Sequence, residues 1–229
     1  MTESIFYTFS VWVLPVLFAI TLHEAAHGYA ALVLGDDTAL KAGRLSLNPL
    51  RHVDRFGTVI LPLLLFLLQA PFLFGWAKPV PVNFHRLSRP GMALTAAAGP
   101  AANLVQAALA ALLIHLALGL SSPVQDWVVH NLFNAITINL VLMVFNLWPI
   151  PPLDGGRIAV GLLPRFLAKP LAGLERWGLF ILIGILFILP MLLERMGLDF
   201  DPLGWMIGHP VSFLGSRLLV LAGLAGEGF

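Results

Sequence analysis

Two histidines and a glutamate lie within five residues of one another, at His23, Glu24 and His27. In a helix, side chains four residues apart lie on one face, one turn from each other, so both imidazoles could bind the same metal ion. Glu24 projects about 100° round the helix from His23, beside such a metal. In the H-E-x-x-H arrangement the two histidines bind zinc and the glutamate acts as a general base toward water.

A metal-free cluster is the alternative interpretation of these three residues, because polar groups inside membranes sometimes serve helix packing. The surrounding run from residue 5 to about residue 34 is apolar and long enough to span a membrane. Three ionisable groups inside such a helix are costly, which favours a functional role. A third ligand further along the chain decides between the two interpretations.

The composition identifies the class of protein. Of 229 residues, 59% are hydrophobic and 11% are charged, whereas soluble domains carry about 25% charged residues. The chain is therefore expected to be an integral membrane protein in contact with the lipid bilayer. The net charge of +1 gives no indication of nucleic-acid binding, and no pattern indicates an oligomeric state. Cysteine is absent, so a zinc site must use histidine and carboxylate ligands.

The apolar runs predict an all-α polytopic fold with about five transmembrane helices and one re-entrant segment. We expect a single domain over residues 1–229, with a catalytic core at about 5–157 and C-terminal helices at about 173–225. Weak alternation at 39–47 and the prolines of 78–83 predict short β or extended segments near the site. The crossing runs are 5–34, 91–120, 128–149, 173–193 and 203–225, and the re-entrant run is 56–76.

Basic residues support the re-entrant assignment of 56–76. The connectors 35–55 and 75–90 carry four and three Lys and Arg residues. The positive-inside rule places both connectors on the cytoplasmic side, which requires 56–76 to enter the membrane and return without crossing it. On this observation alone, an ordinary proline-kinked span accounts for the run equally well.

The third ligand is expected from the turn that follows the run 128–149. Prolines 149, 151 and 152 end the helix, two glycines free the backbone after it, and Asp154 lies between them. A plain turn aspartate is the alternative, since Pro-x-Asp-Gly is a common turn sequence. Zinc hydrolases commonly use three protein ligands and one water, and His23, His27 and Asp154 would complete that set.

Helix geometry tests this set of ligands. His23 and His27 lie near the far end of the first helix, and Asp154 lies just beyond the far end of the run 128–149. These two ends share a side of the membrane only if 56–76 does not fully cross. The basic connectors require the same topology, so we expect a re-entrant 56–76 and a site on the cytoplasmic side.

Together these motifs resemble the site-2 protease family of intramembrane zinc metalloproteases. The resemblance rests on residues 23–27 (His-Glu-Ala-Ala-His), on 99–103 (Gly-Pro-Ala-Ala-Asn) and on 146–156 with its Pro-Leu-Asp-Gly-Gly core. Residues 75–82 (Gly-Trp-Ala-Lys-Pro-Val-Pro-Val) resemble the compact bacterial branch without a PDZ or CBS domain. The resemblance covers about 5–157.

The resemblance implies a role for each site residue. It implies that His23, His27 and Asp154 bind one Zn²⁺ and that Glu24 is the catalytic base. It also implies that Asn103 and Asn146 hold the substrate backbone or the reaction intermediate. Considered without the resemblance, Asn103 is equally a candidate for an interhelical hydrogen bond.

The resemblance also implies an activity and a location. The substrates are expected to be transmembrane proteins that are cleaved within the bilayer, as in regulated intramembrane proteolysis. The expected location is the bacterial inner membrane, with the site toward the cytoplasm. Such a substrate must be unwound, and the segments 39–47 and 78–83 are candidate edges for holding it extended. Because water must reach the zinc, we expect a polar cavity that opens to the cytoplasmic face.

The remaining histidines are weaker candidates. His52 and the nearby Asp54 could line an access path, although solvated loop positions are favoured, and His85 is expected in a loop or at an interface. Histidines 115, 130 and 209 are expected to be hydrogen-bonded packing residues.

Two other functions compete with the protease. A transporter also shows broken helices and polar groups in the membrane, but no inverted repeat is visible in the sequence. A catalytically silent relative is disfavoured because all three ligands and the base are present.

Overall fold

The computed structural model describes residues 5–61, 64, 77–198 and 200–224, and this part of the chain is helical without any β-strand. Its α-helices are α1 (Ile5–Val33), α2 (Thr38–Lys41), α3 (Arg89–Ala117), α4 (Val124–Asn146), α5 (Asp154–Leu162), α6 (Arg165–Gly173), α7 (Gly178–Ile183), α8 (Leu189–Arg195) and α9 (His209–Leu221). Short 3-10 helices lie at Pro49–Arg51, Phe84–Arg86 and Glu175–Trp177, and π-helical turns at Arg55–Ile60, Gly184–Ile188 and Gly204–Gly208.

The predicted all-α membrane fold is confirmed at the level of its long helices. Among the described residues, four helical stretches are long and apolar enough to cross a membrane: Phe6–Val33, Arg89–Ala117, Val124–Asn146 and Arg165–Arg195. The fifth predicted crossing, 203–225, forms a π-helical turn and α9 and is not among these four. The predicted re-entrant run 56–76 lies mostly outside the described residues.

Helices α1, α3 and α4 pack against one another and form the centre of the molecule. The buried core between α3, α4 and α9 combines alanines of α3 with larger side chains, among them Ile114, Ile136, Leu140 and Leu219. Small residues let helix backbones approach closely, which is how helices associate in a membrane. The side chain of Ser88 starts α3 by accepting a hydrogen bond from the Gly91 N–H.

The prediction of a strand at 39–47 is wrong, because α2 occupies the first part of this segment. The Asp36 carboxylate accepts hydrogen bonds from the backbone N–H and the hydroxyl of Thr38, which starts a helical turn. Gly43 ends the turn with φ of +63°, and the Arg44 N–H then bonds to the Ala39 carbonyl. These local hydrogen bonds outweigh the weak alternation of apolar residues. Residues 77–83 carry neither helix nor strand.

The stretch 150–172, interpreted from the sequence as a connector, contains α5 and α6. Helix α5 packs on α3, since a Cβ at Gly161 would lie 2.8 Å from the Ala93 Cβ and 2.8 Å from the Arg89 carbonyl oxygen. The Arg89 guanidinium donates to the carbonyls of Val160 (2.8 Å) and Leu163 at the C-terminal end of α5. These contacts hold α5, and with it Asp154, against α3.

A hydrogen-bonded clamp joins the loop after α1 to the loop before α3. Asp36 is fully buried, and its Oδ2 atom accepts from the Asn83 N–H at 2.6 Å. Arg86 forms an ion pair with Asp37 beside it. Burial raises the pKa of Asp36, but the hydrogen bonds from Thr38 and Asn83 lower it more, and the net pKa lies below its usual value. The clamp therefore requires an ionised Asp36.

We predict that Asp36→Asn lowers the stability of the folded protein at neutral pH by about 1–3 kcal/mol, because an amide N–H would face a buried N–H donor. The lowered pKa makes the contribution of Asp36 fully present above the unfolded pKa near ~4, and this contribution disappears as the pH falls through the folded pKa. Thermal unfolding in detergent should show a gap between wild type and variant that shrinks below about pH 4. Asp126→Asn is the control variant. The clamp would be contradicted if Asp126→Asn lost as much stability as Asp36→Asn, or if the loss in Asp36→Asn did not change with pH.

Candidate metal centre

Three side chains from two distant parts of the chain converge on one point. His23 Nε2 lies 3.2 Å and His27 Nε2 lies 3.4 Å from Asp154 Oδ2, and the two Nε2 atoms are 3.1 Å apart. One ligand atom from each residue lies within 4.8 Å of the other two. The far end of α1 and the start of α5 therefore share one side of the bundle, as the ligand set required.

Helix α3 presents one face to both imidazoles. The face consists of Thr95, Gly99 and Asn103, which are four residues apart and so lie along one side of the helix. Thr95 contacts His27 and Asn103 contacts His23. A Cβ at Gly99 would lie 2.4 Å from His27 Nε2 and 2.7 Å from His23 Cε1, so only glycine fits against the rings. This explains the glycine of the 99–103 motif.

The outer hydrogen bonds of the rings place their protons on Nδ1. His27 Nδ1 lies 2.8 Å from the Thr95 carbonyl oxygen, which can only accept a hydrogen bond, so Nδ1 carries the proton. His23 Nδ1 lies 2.6 Å from Asn103 Oδ1, which likewise accepts. In the neutral rings both Nε2 atoms are then left with a lone pair. Metal-binding histidines typically use this arrangement, with one nitrogen donating to a protein oxygen and the other facing the metal.

The residues fit a divalent metal. Asp154 Oδ2 is buried and has no hydrogen-bond partner among the described residues. Two lone pairs and one carboxylate oxygen at such close range lack a proton to share, and a cation would satisfy all three. Two nitrogens and one oxygen form a typical ligand set for catalytic zinc.

Asp154 is positioned by the turn that precedes it. It is the first residue of α5, where the helix dipole favours a negative charge. A Cβ at Gly155 would lie 2.2 Å from the Leu147 carbonyl oxygen, and one at Gly156 would lie 2.3 Å from the Pro151 nitrogen. The two glycines thus let α5 start directly against the end of α4, which brings the carboxylate to the histidines.

Glu24 is half-buried and points to the segment before α3. Its Oε2 atom accepts a hydrogen bond of 2.8 Å from the Val80 N–H. The segment lies close against α1, because a Cβ at Gly28 would lie 2.8 Å from side-chain atoms of both Val80 and Leu45. The predicted base is therefore held by the backbone of 77–83 and does not belong to the three converging ligands.

The two predicted substrate-binding amides differ in their surroundings. Asn103 is fully buried, and its Nδ2 atom donates to the Ala19 carbonyl at 3.2 Å and to Asn139 Oδ1 at 2.7 Å. Asn146 is half-buried at the end of α4 and donates to the Leu142 carbonyl at 2.9 Å. The interhelical hydrogen bond considered for Asn103 is thus present, and a contact of either amide with substrate stays a prediction.

The other histidines lie away from the ligands. His52 is buried, with 2% exposure, and its Nε2 bonds to the Ser46 carbonyl at 2.8 Å, so the expectation of a solvated loop position is wrong. Asp54 caps the π-helical turn by accepting from the Phe56 and Gly57 N–H groups. A ring nitrogen of each predicted packing histidine is hydrogen-bonded to a backbone carbonyl: His115 to Ala222, His130 to Asp126 and His209 to Gly204. The hydrogen-bonding part of the prediction is confirmed, but all three residues are exposed in the structure, so their packing role stays a prediction.

Two contributors to the site were missed in the sequence. One is the Thr95 carbonyl, which no side-chain pattern could reveal because every residue has a carbonyl. The other is Asn139, an amide in an apolar helix that supports Asn103 from behind. A sequence signal existed for Asn139, since polar residues within an apolar span are unusual.

A cavity of about 290 Å³ lies between α1, α3 and α4 and is lined mainly by apolar side chains, including those of Leu14, Phe18 and Leu109, with Asn139 also on its wall. None of the three ligands lines it. The polar cavity expected from the sequence, open to the cytoplasmic face, remains a prediction.

Comparisons with known proteins agree with this chemistry. The sequence profile of peptidase family M50 matches residues 116–189, which include Asp154 and Asn146. The chain is 39% identical over 208 residues to the Bacillus subtilis protein named "Putative zinc metalloprotease YwhC", covering 83% of this chain and 87% of that protein. It is also 32% identical to the Rip2 protein of Mycolicibacterium smegmatis, which bears the same description, over 77% of this chain and 66% of that protein. No solved structure shows a significant match.

We predict that Gly99→Ala lowers zinc affinity by at least about 10-fold, the range seen when the surroundings of metal ligands are disturbed. The added methyl would overlap both imidazoles and push them out of alignment with Asp154. The affinity is measured by competition with a chelating dye on purified protein. Gly119→Ala is the matched control, because its nearest neighbour lies at an ordinary 3.5 Å. Equal zinc affinities of the two variants would contradict the assigned site.

Proposed function

The chain belongs to peptidase family M50, and from that membership we propose that it cleaves peptide bonds in or near transmembrane segments of other membrane proteins. Membership makes it a zinc-dependent membrane metalloprotease. The transporter and the silent relative are therefore set aside in favour of the enzyme. What the proposal adds is the substrate: a membrane-embedded polypeptide, in the manner of regulated intramembrane proteolysis.

One observation carries the proposal. His23 and His27 belong to a helix that is long and apolar enough to cross a membrane, and the side chains around them are buried between α1, α3 and α5. A site built into such helices lies within reach of polypeptides that are themselves in the bilayer. A soluble substrate would instead have to enter the membrane to reach it.

The chain's residues divide the chemistry among them. His23, His27 and Asp154 would hold the zinc, which when bound supplies Lewis-acid polarisation of a peptide carbonyl and acidification of a water molecule. Glu24 follows His23 directly and would accept the proton of the attacking water and pass it to the leaving amine. The Val80 N–H, bonded to Glu24 Oε2, fixes the direction of the carboxylate for this transfer.

The segment 77–83 is also the proposed place for the substrate backbone. It has no regular structure, its prolines leave it without helix, and Val80 packs beside Glu24. An extended substrate could pair with such an edge once it has unwound. Asn146, at the end of α4, is proposed to hold the substrate backbone or the intermediate, as the family resemblance implies.

The membrane orientation of the site is part of the proposal. The loops beside it carry a group of basic residues, comprising Lys41, Arg44, Arg51, Arg55, Lys78, Arg86 and Arg89. The positive-inside rule favours the cytoplasmic side for such loops. We therefore assign the site to the cytoplasmic face of a bacterial inner membrane.

We predict that Glu24→Gln abolishes cleavage and retains zinc. The amide cannot accept a proton, so the rate should fall at least about 100-fold, while about one zinc per chain remains because Glu24 is not a ligand. Purified wild type and variant are incubated in detergent with a panel of single-span test substrates, and bound metal is measured in both. Glu194→Gln, at the end of α8, is the control for changing a carboxylate to an amide.

The outcomes of this experiment separate the parts of the proposal. If the wild type and Glu194→Gln cleave the substrates and Glu24→Gln does not, the result supports the protease activity and the role of Glu24 as its base. Cleavage that persists in Glu24→Gln overturns the role of Glu24. Folded wild type that binds zinc and cleaves soluble peptides, but no membrane-spanning substrate, overturns the substrate class.

A second variant tests how Glu24 is held. Val80→Pro removes one N–H from a segment that already has proline on both sides, and we expect the turnover number to fall about 10-fold, the effect of losing one hydrogen bond to a charged group. Val80→Ala keeps the N–H and should retain most of the activity. Zinc content should be unchanged in both variants. Equal turnover of the proline and alanine variants would show that the N–H does not position the base.

A further inference from the structure

A pair of buried amides on two helices stands behind one of the zinc ligands. Asn103 on α3 contacts His23, and Asn139 on α4 contacts Asn103. We propose that Asn139 and Asn103 act together as positioning residues that hold His23 in the tautomer that binds zinc. Neither residue contacts the converging ligand atoms themselves.

The direction of each hydrogen bond follows from groups that can only accept. Asn139 Nδ2 donates to the Ala135 carbonyl at 2.8 Å, which turns Asn139 Oδ1 toward Asn103. Asn103 Nδ2 gives one hydrogen to Asn139 Oδ1 and the other to the Ala19 carbonyl. This leaves Asn103 Oδ1 facing His23 Nδ1, which must donate. Two backbone carbonyls on two helices thus determine the proton position on the imidazole.

The opposite orientation of Asn103 shows why the second amide matters. If the Asn103 amide were reversed, its oxygen would face two acceptors, the Ala19 carbonyl and Asn139 Oδ1. Its nitrogen would then donate to His23 Nδ1, and the ring proton would move to Nε2. A protonated Nε2 cannot bind a metal. Asn139 therefore excludes the orientation of Asn103 that would disable the ligand.

Both amides are buried, which restricts their hydrogen-bond partners to protein groups. Asn103 has 0% and Asn139 has 2% exposure, so water does not compete for their hydrogen bonds. Both Nδ2 hydrogens and the Oδ1 atom of Asn103 are bonded to protein groups. The substrate-holding role that the resemblance implies for Asn103 would require a substrate to reach a fully buried amide, whereas the positioning role uses the hydrogen bonds that are present.

The two histidines are held by independent means. His27 is oriented by the Thr95 carbonyl, which belongs to the backbone and survives any side-chain substitution. Among the described residues, the hydrogen-bond partner of His23 Nδ1 is Asn103 of the amide pair. Substitution of either amide should therefore disturb one ligand of three and leave the other two in place.

Another asparagine of α4 supplies a matched control. Asn131 donates to the Trp127 carbonyl four residues earlier at 2.9 Å, just as Asn139 donates to Ala135. Its oxygen has no hydrogen-bond partner among the described residues, so this oxygen makes no hydrogen bond to Asn103. Asn131→Leu therefore removes the same helical hydrogen bond without touching the amide pair.

The test measures zinc affinity by chelator competition for Asn103→Leu, Asn139→Leu, the double variant and Asn131→Leu. We expect a loss of about 10- to 100-fold for Asn103→Leu, the range for residues that orient metal ligands, and a smaller loss for Asn139→Leu. Because Asn139 acts through Asn103, the double variant should match Asn103→Leu and show no further loss. Asn131→Leu should match the wild type.

A spectroscopic measurement separates positioning from general destabilisation. Cobalt(II) replaces zinc in the purified proteins, and the visible absorption bands report the ligand geometry of the folded, metal-loaded fraction. We expect altered bands in Asn139→Leu and unchanged bands in Asn131→Leu. If Asn139→Leu does not fold in detergent, Asn139→Ala against Asn131→Ala gives the same comparison.

Zinc affinity and cobalt spectra of Asn139 variants that equal those of the Asn131 variants would overturn the proposal. A loss in the double variant equal to the product of the single losses would also overturn it. None of these measurements uses cleavage, so the proposal stands or fails separately from the proposed substrate. A wild type that binds zinc but cleaves no test substrate leaves it intact.

Discussion

Three electron-pair donors meet at one point inside a bundle of apolar helices, and the rest of the structure depends on keeping them there. Two imidazole nitrogens and a carboxylate oxygen lie 3.1–3.4 Å apart. Without a cation, such close lone pairs repel one another. The surrounding protein opposes this repulsion by fixing His27 to a carbonyl, His23 to an amide and Asp154 to the start of a helix. The site is thus preorganised for a metal.

Much of this site could be predicted from the sequence, because the metal-binding residues are recognisable by their type and spacing. His23 and His27 are one helical turn apart, and Asp154 sits between helix-breaking prolines and glycines. The long apolar runs predicted α1, α3 and α4 to within a few residues, since burial in lipid demands continuous apolar helices. What the spacing could not predict is how the ligands are held, because that depends on contacts between helices.

The elements that escaped prediction are those in which a local hydrogen bond outweighs a pattern of side chains. Residues 39–47 alternate like a strand, yet Asp36 accepts two hydrogen bonds from Thr38 and starts α2. His52 follows a basic stretch that suggests solvent, yet its ring is buried against the Ser46 carbonyl. Asn139 is similar: an amide in an apolar helix predicts some interhelical bond, but not that its partner holds a zinc ligand.

In this bundle, the hydrogen bonds between helices depend on close packing of the helix backbones. The asparagine side chain is short, so Asn103 reaches His23 and Asn139 at 2.6–2.7 Å only if three helix backbones lie close together. Glycine at 99 and alanines along α3 allow that approach, and the same glycine leaves room for both imidazole rings. A bulkier α3 would separate the helices and leave buried amides unpaired, which costs more in lipid than in water. The small residues of α3 therefore help to set the geometry of the metal site, because they allow the helices to approach closely.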